Sequence, residues 1–301
     1  MFSSLKTITT VLLSGFMMTV QIINAKSIID EERDALVDFY ENTNGDNWTN
    51  SWDLNKPISS WKGVTIVDGH VVKLDLFNNN LSGSIPASIG KLSQLMHLNL
   101  AFNNITGVIP TDLVNLEKLK VLKLEMNRLK GSLPENMGKL SQLEEFSIFN
   151  NLISGPIPES LGRIRTLRLL NLSSNNLSGI IPESFGNLKK LESLGLFDNG
   201  LEGAIPSQMG QMVQLRELVM ANNRLGGDVP QEFAQLTKLE VFQIQNNRFE
   251  GYTGLEAMNK NQFLVFDTDD SKSNSSFKEI NLQKLNSRYA DTKFEDVDDN
   301  E

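Results

Sequence analysis

Catalysis needs nucleophiles, metal ligands or a matched acid and base, and this chain has no thiol nucleophile and few nitrogen or sulfur metal ligands. Its 301 residues contain no cysteine and only two histidines, His70 and His97. Without cysteine there are no disulfides, thiolate metal sites, thiol nucleophiles or lipidated cysteine anchors. The two histidines fall in different columns of the pattern described below, so they do not face each other as a metal pair. Neither a His-Glu-x-x-His helix nor a phosphate-cradling glycine loop is present. Carboxylates are abundant, 37 Asp and Glu against 28 Lys and Arg, yet nothing marks one pair in a cleft. Asp267-x-Asp269-x-Ser271 opens like a calcium loop, but Lys272 stands at the sixth position and Lys278 at the twelfth, where Gly and a bidentate Glu are needed. The expectation is a non-enzyme with no metal, no cofactor and no catalytic residue.

What remains is non-covalent recognition. Phe77, Phe102, Met126, Phe149 and Phe197 put large apolar groups at positions expected to face solvent. His97, Lys123, Glu125, Glu145, Asp198 and Glu217 lie among them. Exposed aromatics with charged neighbours suit a protein-binding patch. The alternative is that these rings only pack on one another along a sheet.

The elements that position these residues repeat every 24 positions. One unit reads Leu95-x-x-Leu98-x-Leu100-x-x-Asn103-x-Ile105-x-Gly107-x-Ile109-Pro110. Its Asn column is Asn79, Asn103, Asn127, Asn151, Asn175, Asn199, Asn223 and Asn247, and its Gly column runs in step from Gly83 to Gly251. Such a fixed period signals a solenoid. Leu98-x-Leu100 alternates with period two, as in a short strand with both leucines on one face. Strands this far apart in sequence stack in parallel through a long return. The flanking positions then point outward, and the return leucines and isoleucines bury against neighbouring coils. The Asn column sits where the chain leaves the strand, and a buried amide there can serve both donors and acceptors of the turn. Gly supplies a backbone angle closed to other residues, and Pro fixes φ where no donor is needed. All three columns read as structural.

These residues resemble the leucine-rich repeat, specifically its 24-residue plant-type variant, in which Leu-x-Gly-x-Ile-Pro follows the Asn. The resemblance covers residues 71–251, as seven full repeats and a partial eighth. It implies an α/β solenoid, a right-handed curved superhelix. The concave side would be a parallel β-sheet, the convex side short 3-10 or helical turns, and the N-terminus a helical cap. It also implies recognition of proteins or peptides on the concave face. The polar Asn and Ser columns leave a glycan or cell-wall ligand as an alternative, including inhibition of a wall-degrading enzyme. A structural envelope or adhesion role is the third.

The flanks complete the organisation. Residues 1–25 read as a secretory signal, with Lys6 ahead of a mostly apolar run and Ala25 at a cleavage point. No membrane insertion is expected after cleavage, and the product would be secreted or held in the cell envelope. Residues 26–70 read as the N-terminal cap, carrying all three tryptophans, Trp48, Trp52 and Trp61. These either cover the apolar end of the first coil or offer a platform for sugar. Asn44-Gly45-Asp46-Asn47-Trp48 and Trp61-Lys62-Gly63-Val64 resemble the cysteine-free caps of secreted bacterial (Bacteroidetes) leucine-rich repeat proteins, rather than the cysteine-flanked caps of plant receptors. Residues 252–286 read as a C-terminal cap and 287–301 as an acidic tail. No kinase domain or apolar span follows the repeats, which argues against direct transmembrane signalling. A net charge of −9 makes nucleic acid a poor partner.

Overall fold

The computed structural model describes residues 30–256, 258–259 and 262–268. The signal segment, the acidic tail and the end of the expected C-terminal cap lie outside them. Strands His97–Asn99, Val121–Lys123, Glu145–Ser147, Leu169–Asn171, Ser193–Gly195, Glu217–Val219 and Val241–Gln243 pair in parallel, in one register. Each central residue stands beside its counterpart one repeat away, as Leu98, Leu122 and Phe146 do. An antiparallel pair, Val64–Val67 with His70–Asp75, starts this ten-stranded sheet, and Val265–Asp267 ends it. The strand leucines and their phenylalanine substitutes are fully buried from Leu98 to Phe242. The expected leucine-rich repeat solenoid with its parallel sheet is therefore present.

The return carries the expected 3-10 turns, among them Ala87–Lys91, Thr111–Asn115 and Glu183–Asn187. Proline precedes most of them with φ near −60° to −77°, where its ring matches the backbone and no donor is missed. Between sheet and turn lies an element the sequence did not announce. Lys130–Gly131, Leu152–Gly155, Asn176–Gly179, Gly200–Ala204, Arg224–Asp228 and Arg248–Gly251 form a second, six-stranded parallel sheet along the flank. A smaller pair, Ser82–Ser84 with Asn104–Thr106, precedes it. The Gly column lies in or, at Gly107, just past these strands, at φ from 70° to 98° between Gly83 and Gly227. Gly251 is not among the positive-φ glycines, and the pairing register shifts where Gly227/Asp228 meets Arg248–Gly251, the strand of the repeat that lacks the Pro.

The Asn column forms a ladder of side-chain hydrogen bonds between coils. The Asn127 side-chain carbonyl accepts from the Ile105 amide at 3.0 Å in the preceding repeat. Its amide donates to Leu100 O at 2.9 Å and to Leu124 O at 3.1 Å, so one side chain ties two coils together. Asn103, Asn151, Asn175, Asn199, Asn223 and Asn247 repeat the pattern. Asn199 and Asn247 are half-buried, and the other six are buried. Asn79 begins the ladder by accepting from the Asn50 amide at 2.7 Å.

At the N-terminal end a helix over residues 30–42 packs with the tryptophans. Trp48, Trp52 and Trp61 are all buried. Trp52 stacks on Trp61 at 4.7 Å and on Tyr40 at 5.9 Å. Their indole N–H groups donate to Thr43 O, Lys62 O and Asp53 O. Buried rings with satisfied donors close the coil rather than offer a platform. Buried Glu32 accepts from the Val71 amide at 2.8 Å and bonds His70 at 2.9 Å, which fastens the helix to the first long strand.

Candidate functional site on the inner sheet

The outward positions of the ten-stranded sheet make one continuous face. Among the described residues, Phe77 and Phe102 are the aromatics most open to solvent, at 53% and 38%, with ring centroids 5.2 Å apart. Met126 and Phe149 follow on the next strands, both half-buried. The Asn150 amide reaches the Met126 sulfur at 2.9 Å. Phe197 lies two coils beyond Phe149, and no ring contact links them among the described residues. Buried Asn171 and Ser173, on the coil between, separate them. Asn171 accepts from the Ser173 amide, and the Ser173 hydroxyl accepts from the Phe197 amide at 3.1 Å. Phe77 and Phe102 are thus in ring contact, Met126 and Phe149 follow on the next two coils, and Phe197 with exposed Asp198 stands apart.

The backbone adds a constraint on one column, Asn78, Phe102, Met126, Asn150, Ser174, Asp198, Asn222 and Asn246. In the fold all eight are in the left-handed region, with φ from 46° to 58°. This bend turns the chain from strand to flank. Asn, Asp and Ser fill six of the eight places, and Asn and Asp tolerate that region best. Phe102 and Met126 do not suit it, and a large L-residue there costs roughly 1–2 kcal/mol. The column's own composition carried this signal, because its two misfits are its two large apolar members.

The charged groups divide. Lys123 pairs with Glu145 at 3.4 Å, and Lys73 with Asp75 at 2.9 Å. The Ser193 hydroxyl donates to Glu217 at 3.0 Å. His97 Nε2 is sealed and lies 3.9 Å from Asp75, too far for a hydrogen bond. Burial, with Lys73 and Lys123 nearby, holds its pKa below the usual histidine value. Glu125 stands between Ala101 and Phe149, and its Oε2 is shut from solvent without a partner. Burial pushes its carboxyl pKa up, against the favourable influence of its own backbone and the Ser147 hydroxyl. Among the described residues, no three or more acids and histidines gather as metal ligands.

Leucine rich repeat profiles match residues 69–129, 141–201 and 214–236. No curated protein matches the chain. Among solved structures, the chain is similar to the ectodomain of the plant membrane receptor kinase GASSHO1/SCHENGEN3 from Arabidopsis thaliana, in complex with Casparian strip integrity factor 2. Identity is 34% with a TM-score of 0.74, over 78% of this chain and 29% of that one. It is similar to PEPR1 bound to AtPEP1, at 29% identity and a TM-score of 0.71, over 79% and 34%. It is also similar to the Arabidopsis receptor kinase HAESA ectodomain with an N-terminally extended IDA peptide hormone, at 29% and 0.69, over 80% and 42%. The chain thus spans well under half the length of each. Among the described residues no helix is long and apolar enough to cross a membrane.

Proposed function

We propose that this chain, which carries leucine-rich repeats in the fold of plant-type ectodomains, is a secreted, non-catalytic protein that binds a protein or peptide. The ligand lies on the inner sheet against Phe77, Phe102, Met126 and Phe149, with Glu125 and Lys123 beside it. One observation carries this reading. Phe102 and Met126 occupy a left-handed bend that their neighbours fill with Asn, Asp or Ser, and Phe102 lies in ring contact with exposed Phe77. Locally unfavourable residues gathered at one exposed spot are a sign of use rather than of packing. The similar HAESA ectodomain is in complex with a peptide hormone ligand, which supports the same ligand class. Phe197, Asp198 and Glu217 serve as an outlying second contact.

The expected signal segment and the charge favour a secreted or envelope location, and the cysteine-free cap is read as the bacterial type. A glycan ligand has less support, because the cap tryptophans are buried and the Asn171 and Ser173 side chains already accept from backbone amides. The test is affinity capture from the native organism's surface with the full chain, against a Phe77→Ala/Phe102→Asn/Phe149→Ala variant. Loss of the captured partner in the variant supports the reading. An unchanged partner refutes it.

A further inference from the structure

The middle of the inner sheet is a depression with unused donors. Ser147, Asn171 and Gly195 lie side by side on adjacent strands, and Ser173 follows on the coil of Asn171. All four are buried, while Phe149 and Phe197 stand half-buried on the coils to either side of Ser173. At a strand spacing of about 4.8 Å those two coils are roughly 10 Å apart, which leaves the width of one inserted side chain between the rings. The floor depends on Gly195, where a Cβ would lie 2.7 Å from both Asn171 Oδ1 and Ser173 Oγ.

Asn171 is the informative residue, at only 6% exposure. Its Oδ1 accepts from the Ser173 amide at 3.1 Å, which fixes the end of the side chain that carries the oxygen. Its N–H2 group then donates to nothing among the described residues and, unlike Glu125 Oε2, is not sealed from solvent. Asn99, three coils earlier in the same column, makes the same contact with the Ala101 amide at 3.2 Å. Asn99 also gives its N–H2 to Asp75 Oδ1, one coil back, at 2.9 Å. One coil back from Asn171 stands Ser147, a shorter side chain already bonded to Glu125. The acceptor that Asp75 supplies to one asparagine is thus missing for the other. The Ser173 hydroxyl accepts from the Phe197 amide, and its own proton likewise has no acceptor among the described residues.

Two open donors whose acceptor sides are engaged select an acceptor. A sugar hydroxyl gives as well as takes, so it would find only half its partners here. A carboxylate would meet Glu125, Glu145 and Glu217 around it. A neutral carbonyl oxygen meets neither obstacle, and it satisfies donors that are costly to leave unpaired. Resting on the peptide-binding reading above, we propose that this depression is a specificity subsite for an Asn or Gln side chain of the peptide. The amide oxygen accepts from Asn171 and Ser173, the methylene stem lies between Phe149 and Phe197, and the amide's own N–H2 suits the surrounding carboxylates. A backbone carbonyl carried across the two rings stops short of this floor, whereas a side chain reaches it.

The test probes an array of immobilised short random-sequence peptides with the full chain. The retained peptides are expected to be enriched in Asn and Gln. Exchanging that Asn or Gln for Asp or Leu in a retained peptide should lower its signal roughly tenfold, because the buried donors then lose their acceptor or gain a charge among carboxylates. Asn171→Asp keeps an oxygen for the Ser173 amide but offers the ligand no donor, so it should abolish the preference for the amide peptide over its Leu counterpart. Asn176→Asp on the flank sheet should leave that preference unchanged. Urea unfolding of each variant verifies that it is folded. Peptides retained without Asn or Gln enrichment, or an amide preference untouched by Asn171→Asp in folded protein, overturn this inference and leave peptide binding standing. No peptide retained by the wild-type chain overturns both.

Discussion

Replacing Phe102 with Asn separates a ligand-contacting role from a packing role. The bend at Phe102 has φ 57°, a region in which Asn is at ease and Phe is not. Relief of that conformation returns roughly 1 kcal/mol. Against it stand the Phe77 ring pair, worth about 0.5–1.5 kcal/mol, and the ring's partial burial, worth about 1 kcal/mol given its 38% exposure. The expected net loss is about 1 kcal/mol. A true core ring such as fully buried Phe146 should lose about 3–5 kcal/mol on truncation to alanine. Binding should respond in the opposite order. Loss of an anchoring aromatic costs about 2 kcal/mol or more, roughly 30-fold in Kd. Urea unfolding gives the first quantity, and titration with a peptide retained on the array gives the second. A stability loss above about 3 kcal/mol with unchanged affinity would refute the reasoning and return Phe102 to the core.

Other perturbations test the neighbouring parts. Asn151→Leu strands the Leu129 amide at 3.0 Å and two carbonyl contacts, and should cost about 2–5 kcal/mol in urea unfolding. Trp52→Ala breaks a stack with two partners and should cost about 3–5 kcal/mol, with amide exchange rising first in the repeats next to the cap. Glu125→Gln should stabilise the free protein at neutral pH. Because burial raises the folded carboxyl above its ordinary 4.5, the wild-type carboxyl favours folding only at low pH and loses that contribution as pH rises through the folded value. The advantage of Gln over Glu should therefore be small below about pH 4.5 and grow above it, as thermal melts across pH will show. His97 runs the other way. With its folded value below the usual 6.5, stability should fall as pH drops from that point, and His97→Gln should flatten that slope.

The solenoid was legible because period and burial coincide. Each Leu-x-Leu pair and each ladder Asn recurs at a fixed offset, and one mechanism explains the recurrence. The cap was legible from its aromatics, since three tryptophans ahead of an exposed sheet edge have an end to cover. The flank sheet was not legible. Its strands are two to five residues long, too short for alternation to declare itself, and they carry glycine, which is poor in strands. The site was legible only in part. The outward aromatics could be placed by counting from the leucines. Whether Phe149 and Phe197 touch depended on Ser173 between them, and sequence gives no distance. The left-handed bend was readable in principle from six tolerant residues among eight. It required knowing that backbone angle, not ligand, had chosen Asn and Ser there.

Methyl resonances offer the most direct measurement of the central claim. With methionine methyls labelled, Met126 sits on the inner patch, while Met209 and Met212 are fully buried under the returns. On adding a retained peptide to the full chain, the Met126 methyl should shift and broaden while Met209 and Met212 stay still. Shifts in the core methionines with Met126 unmoved, or none at any methionine despite binding, would contradict a ligand site on the inner sheet.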